Sequence, residues 1–131
     1  RVVGEPPEGD AWQIAVEHPG APHRTIARVA TRDGGIATTS RRRRRWTLSD
    51  GNEAHHVLDP RTAHPAGSRW TSATAIAARA VDAEVGATVA FLDGNLAGAP
   101  RLVGALLADV DGATKVLGDH PELFALAVGS A

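Results

Sequence analysis

Three histidines, an aspartate and two prolines fall within the stretch HHVLDPRTAHP, positions 55 to 65. Imidazoles beside a carboxylate admit three chemistries: zinc ligation, proton transfer at a bound nucleotide, or simple polar decoration of a strand that runs into a turn. Strand geometry disfavours zinc. Successive side chains of an extended segment point to opposite faces, so His55 and His56 do not reach one ion together. The plainest reading is a polar strand end with His56 half-buried.

Two further groups carry oxygen or charge at useful spacing. Glu84 and Thr88 stand four apart and share one face if the segment is helical, so a carboxylate and a hydroxyl could supply oxygen ligands to a hard cation such as Mg2+. Arg41 to Arg45 form an unbroken cationic run. As a strand, it would send Arg41, Arg43 and Arg45 one way and Arg42 and Arg44 the other. A solvated edge, with guanidinium heads in water, is the expected outcome. Without interleaved aromatics, and with a formal net charge of -1, the run does not point to nucleic acid.

These groups need elements to hold them. After a Pro/Gly-rich opening, WQIAVEH alternates as a half-buried strand, and TIARVATR and GIATT read as two more about an Asp33-Gly34-Gly35 turn. RWTL and AHHVL flank SDGNE as a hairpin, and WTSATAIA resumes a strand of small residues. The period then changes: Val81, Val85, Val89 and Leu92 recur at helical steps, predicting an amphipathic helix over about residues 79–92 whose valine stripe faces the core, with Gly94 placed to end it. PRLVGALLADV is ambiguous; the expectation is a short helix passing into a strand, followed by a C-terminal hairpin about Asp111-Gly112. The fold class expected is α+β, a largely antiparallel sheet with one main helix.

A chain of 131 residues suits a single domain, residues 1–131, around one core. Cysteine is absent, which excludes disulfides and thiolate chemistry. No apolar run approaches the roughly 18 residues of a membrane span, and no signal segment opens the chain. The chain does not begin with Met, so it is expected to be a piece of a longer product.

The order of these segments resembles the ApbE-type FAD:protein FMN transferases. IATTS, RRRRRW, HHVLDPRTAHP, WTSATAIAA and AEVGATVAFLDG follow one another as the family's small-polar strand end, basic segment, His-to-Pro loop, small-residue strand and acid-to-threonine helix do. The likeness reaches upstream to GDAWQIAVEHP and downstream to ALLADVDG, and covers the C-terminal half of such an enzyme. The resemblance implies transfer of FMN from FAD to a Thr or Ser hydroxyl of an acceptor protein, with Mg2+ required and AMP released. It implies FAD contacts from Thr39, Ser40, His56, Val57, Asp59 and Thr62, proton transfer assisted by His56, and metal contacts from Glu84 and Thr88. Asp82 is the competing metal register, and it would place Gly86 where the family has threonine. In the chosen register, Glu84 stands where the family commonly has Asp. His55 is expected to face outward beside the loop. Ala63 replaces the family's glycine, which costs roughly 1 kcal/mol if the position needs a positive φ. The chain alone is expected not to transfer FMN. The alternative is a flavin-binding module of the same family without catalysis. Family members include exported and lipid-anchored proteins.

Overall fold

The computed structural model describes residues 1–99 and 101–127. Two antiparallel sheets and one helix form three layers. The first sheet holds β1 (Trp12–Glu17), β2 (Thr25–Thr31) and β11 (Phe124–Leu126) in the order β1-β2-β11. The second holds β3 (Gly35–Ser40), β8 (Ser72–Ala77), β9 (Leu102–Ala108) and β10 (Thr114–Leu117) in the order β10-β9-β8-β3. Asp33-Gly34-Gly35 therefore carries the chain from one sheet to the other instead of closing a hairpin.

Between β3 and β8 the chain leaves the sheet as an arm, residues 41–71. The arm contains the hairpin of β4 (Arg45–Thr47) with β5 (Glu53–His55) and the short pair β6 (Leu58–Asp59) with β7 (His64–Pro65). The helix α1 (Ala80–Asp93) follows β8 and packs on the second sheet. The α+β class, the SDGNE hairpin, the C-terminal hairpin and the helix thus stand as the sequence led us to expect.

The alternation of β8 and β9 explains the layering. Ala73, Ala75, Ala105 and Leu107 face the helix, where they meet Ala87, Ala90 and Phe91. Ile76, Leu106 and Ala108 face the first sheet, where they meet Val16, Ile26, Val29 and Phe124. All six residues of β8 are buried because both of its faces are covered.

Two expectations are corrected here. The valine stripe is not the buried face of α1: Val81 and Val85 are exposed, while Ala83, Gly86, Ala87, Ala90 and Phe91 are buried. Small residues on β8 let the helix approach closely, and a close approach excludes branched side chains from the contact. At Gly86 an added Cβ would lie 2.3 Å from a Leu102 methyl. Residues 102–108 are strand throughout, so the short helix expected there is absent among the described residues. Their continuous burial, Gly104 to Ala108, masks the period-two signal on which a strand reading depends. Pro100 lies outside the described residues. Gly94 ends α1 in the left-handed conformation, its N–H donating to the Ala90 carbonyl at 2.9 Å. Among the described residues, no helix is long and apolar enough to cross a membrane.

Candidate functional site

A cavity of about 790 Å3 opens where the C-terminal end of β3, the root of the arm and the exposed face of α1 meet. From β3 come Thr38, Thr39 and Ser40, from the arm Arg42 to Arg44 and His56 to Leu58, and from α1 Glu84 and Thr88. Val16, Glu17 and Pro19 close the side toward β1. Six of the eight residues nominated from the sequence are brought together here: Thr39, Ser40, His56, Val57, Glu84 and Thr88. Asp82 does not line the cavity.

The hydroxyls at its floor form a directed chain. Thr88 Oγ1 donates its single proton to the Glu84 carbonyl at 3.2 Å. Its 3.1 Å contact with Thr39 Oγ1 must therefore be a bond in which Thr39 donates. The Thr88 oxygen keeps one lone pair unused by these two bonds, and Thr88 lines the cavity. The Glu84 carboxylate has no hydrogen-bond or ion-pair partner among the described residues. A hard cation keeping several waters and completed by phosphate oxygens fits such a pair of protein donors. Among the described residues there is no cluster of three or more His, Cys, Asp or Glu that would hold a metal alone.

The two adjacent histidines are covered in the reverse of the sequence expectation, while His56 stays the one at the site. His55 is buried at 5% exposure, with Nε2 on the Ala66 carbonyl at 3.1 Å and its ring edge-on to Phe91 at 6.4 Å. A carbonyl only accepts, so Nε2 carries the proton and Nδ1, which is buried without a partner, is the unprotonated nitrogen. Burial holds the His55 pKa below its ordinary value. His56 is exposed and lines the cavity. Its Nδ1 donates to the Arg44 carbonyl at 3.3 Å, and its backbone N–H donates to the same oxygen at 3.1 Å. Nε2 is thereby left with its lone pair. Outward His55 and half-buried His56 are thus both corrected: alternation was read properly, but which face is covered depends on Phe91, far along the chain.

Asp59 and Thr62 do not line the cavity. Asp59 receives the Arg61 guanidinium at 2.8 and 3.0 Å, which depresses its pKa, and its carbonyl accepts from Thr62 and Ala63. Thr62 Oγ1 accepts from the His64 N–H at 3.3 Å. Both residues shape the turn between β6 and β7. In that turn Ala63 adopts φ 58, the left-handed conformation anticipated for a glycine position. Sequence reasoning missed Arg61, which also reaches Asp93 at 2.9 Å and so ties the arm to the end of α1. Ser68 Oγ adds a 2.6 Å bond to the Phe91 carbonyl. Arg61, Ser68 and the His55 ring on Phe91 thus hold the arm against the end of the helix, with His56 and Thr88 lining the same cavity.

The arginine run is not a strand. Residues 41–44 are a bend, and only Arg45 enters β4. Arg42 turns inward and donates to the Pro19 carbonyl, whereas Arg43 to Arg45 are exposed as expected.

A family model, the ApbE family, matches residues 1–111. The chain is 30% identical over 80 residues to an FAD:protein FMN transferase of Klebsiella pneumoniae, covering 61% of this chain and 25% of the relative. It is 33% identical over 78 residues to the FAD:protein FMN transferase of Escherichia coli K12, covering 59% of this chain and 22% of the relative. The crystal structure of the ApbE protein from Thermotoga maritima superimposes with a TM-score of 0.72 at 26% identity, over 91% of this chain and 40% of that one. The chain thus spans about a quarter of the length of the curated relatives it matches. With the ordered motifs, the three-layer fold and the family match agreeing along most of its length, this chain belongs to the ApbE family.

Proposed function

We propose that the chain forms, as one domain, the flavin-side portion of an FAD:protein FMN transferase. The observation that carries this reading is the convergence on one cavity of Thr39, Ser40, His56, Val57, Glu84 and Thr88, drawn from three separate stretches of sequence. Its volume lies in the range of nucleotide and cofactor sites. The relatives named above act on FAD and a protein.

In this reading His56 takes the proton from a Thr or Ser hydroxyl of the acceptor protein through Nε2, the nitrogen its bond to Arg44 leaves unprotonated. The freed oxygen attacks the flavin-side phosphorus of FAD, the pyrophosphate bond breaks, and AMP leaves. Glu84 and Thr88 would hold Mg2+, which when bound would supply neutralisation of phosphate charge. Thr39 orients the Thr88 hydroxyl, and Val57 gives the flavin an apolar wall. Asp59 and Thr62 serve by holding the loop that presents His56 and Val57.

The test is competitive binding to this chain in the presence of Mg2+, followed by flavin fluorescence. FAD and FMN should bind with similar affinity and compete, and AMP should not displace them. Absence of flavin binding, or displacement by AMP as efficient as by FMN, would overturn the assignment of this chain to the flavin side.

A further inference from the structure

We propose that Arg43 and Arg44 form a docking rim that reads acidic side chains flanking the acceptor hydroxyl. The inference deepens the function proposed above and rests on it. Lys and Arg total 14 against 15 Asp and Glu, yet five of the arginines are consecutive, so a near-neutral chain concentrates its positive charge at one place.

The fold uses part of that charge: Arg45 pairs with Glu53 at 3.3 Å across the β4–β5 hairpin. Arg42 points inward, donating to the Pro19 carbonyl, and Arg41 is, like Arg42, partly covered. Arg43 meets Glu17 at 3.6 Å with the two side chains 87% and 46% exposed, and exposed pairs of this kind contribute about 0.2–1 kcal/mol, so an incoming carboxylate can replace Glu17. The Arg44 guanidinium has no hydrogen-bond or ion-pair partner among the described residues. Both arginines line the cavity.

Their position favours the acceptor over FAD. The Arg44 carbonyl receives both His56 Nδ1 and the His56 backbone N–H, so the arginine bend and the proposed base are one unit. A hydroxyl that reaches His56 Nε2 brings its sequence neighbours against these guanidiniums. Oxygen donors suited to a phosphate-bound cation lie instead on β3 and α1, at Thr39, Thr88 and Glu84. The planar guanidinium fork matches carboxylates bidentately. Glu17, fixed by the His23 N–H at 3.0 Å, occupies Arg43 until such a carboxylate arrives.

The probe is a pair of labelled peptides of about a dozen residues, each with one Thr, flanked by Asp in one and by Asn in the other, with binding to this chain read by anisotropy. The Asp peptide should bind at least roughly tenfold more tightly at low salt, and the advantage should shrink as salt rises. R43E/R44E should abolish that advantage while FAD affinity falls less than about threefold, and E17Q should strengthen Asp-peptide binding about two- to threefold. If the reversed variant fails to fold by circular dichroism, R43Q/R44Q provides the same comparison. Equal binding of both peptides would overturn the proposal, as would a loss of FAD affinity matching the loss of peptide affinity, which would give the arginines to the nucleotide. Peptide discrimination without any FAD binding would retain the rim and sink the flavin reading instead.

Discussion

Replacing each of the two adjacent histidines by alanine should separate stability from chemistry. His55 is 5% exposed and satisfies the buried Ala66 carbonyl, so His55→Ala leaves that oxygen without its partner, at about 1–3 kcal/mol. Loss of the ring from its edge-on contact with Phe91 adds a cavity cost of about 1–2 kcal/mol. The sum is about 2–5 kcal/mol, a large part of a small domain's stability. His56→Ala removes an exposed side chain with one 3.3 Å bond and should change stability by less than about 0.5 kcal/mol. Urea unfolding at pH 7.5 measures both. The depressed pKa of His55 gives a second signature. In the unfolded chain the imidazole takes its proton near its ordinary value of about 6.5, while the native one resists until lower pH. Stability is therefore full above about pH 6.5 and falls below it, at up to about 1.4 kcal/mol per pH unit, until the native group also protonates. That slope should be smaller in His55→Ala. Equal destabilisation by the two variants, or less than about 1 kcal/mol for His55→Ala, would refute the division of roles.

Three other outcomes are expected. Glu84→Gln should raise the Mg2+ concentration that half-saturates flavin binding roughly ten- to a hundredfold, matching about 1.5–3 kcal/mol for a charge-assisted contact, Thr88→Val should act in the same direction but less, and Asp82→Asn should be silent. A damaged Asp82 variant beside a normal Glu84 variant would mean the metal register is the other one. Ala63→Gly relieves about 1–2 kcal/mol of left-handed strain and restores about 0.4–1 kcal/mol of unfolded-state entropy, so thermal unfolding should show a gain of about 0.5–1 kcal/mol. On α1, Val85→Thr should stay within about 0.5 kcal/mol in chemical denaturation, whereas Ala87→Leu, at 0% exposure, should cost about 1–3 kcal/mol or prevent folding.

Local chemistry was legible where the chain itself supplies the constraint. The alternation of WQIAVE, the Asp-Gly turns and the glycine that ends α1 each depend on neighbours a few residues away. Burial on both sides was not legible, because it is decided by partners far along the chain. Residues 102–108 lost their period for that reason. The buried face of the helix is not legible in the valine spacing, because side-chain volume is a poor guide to burial where the alanines of β8 make closeness the rule. The His55 and His56 pair shows the same limit: alternation separates the two rings, but only Phe91 and Ala66 decide which is covered. Arg61 gave no signal, since its partner Asp93 belongs to an element whose end meets the arm only in the fold. The ordered motifs, by contrast, located six of the cavity's residues directly.

The arm leaves the second sheet after Ser40 and returns at Ser72, and these two residues are partners in register across β3 and β8. Its ends are therefore joined by the sheet itself, whatever lies between them. Lengthening such a closed excursion costs little, about 0.6 kcal/mol for each doubling, because closure entropy grows only logarithmically. Changes inside it need not disturb the strand pairing below. The exposed stretches that carry the arginines and His56 can thus vary on a constant base, while Val57, Ala66 and Trp70 anchor the arm in the core. Grafting the exposed stretches of a relative's arm between Ser40 and Ser72, with the Arg61, His55 and Ser68 clamps and the core residues Val57, Ala66 and Trp70 retained, would test whether the arm sets the acceptor choice proposed above.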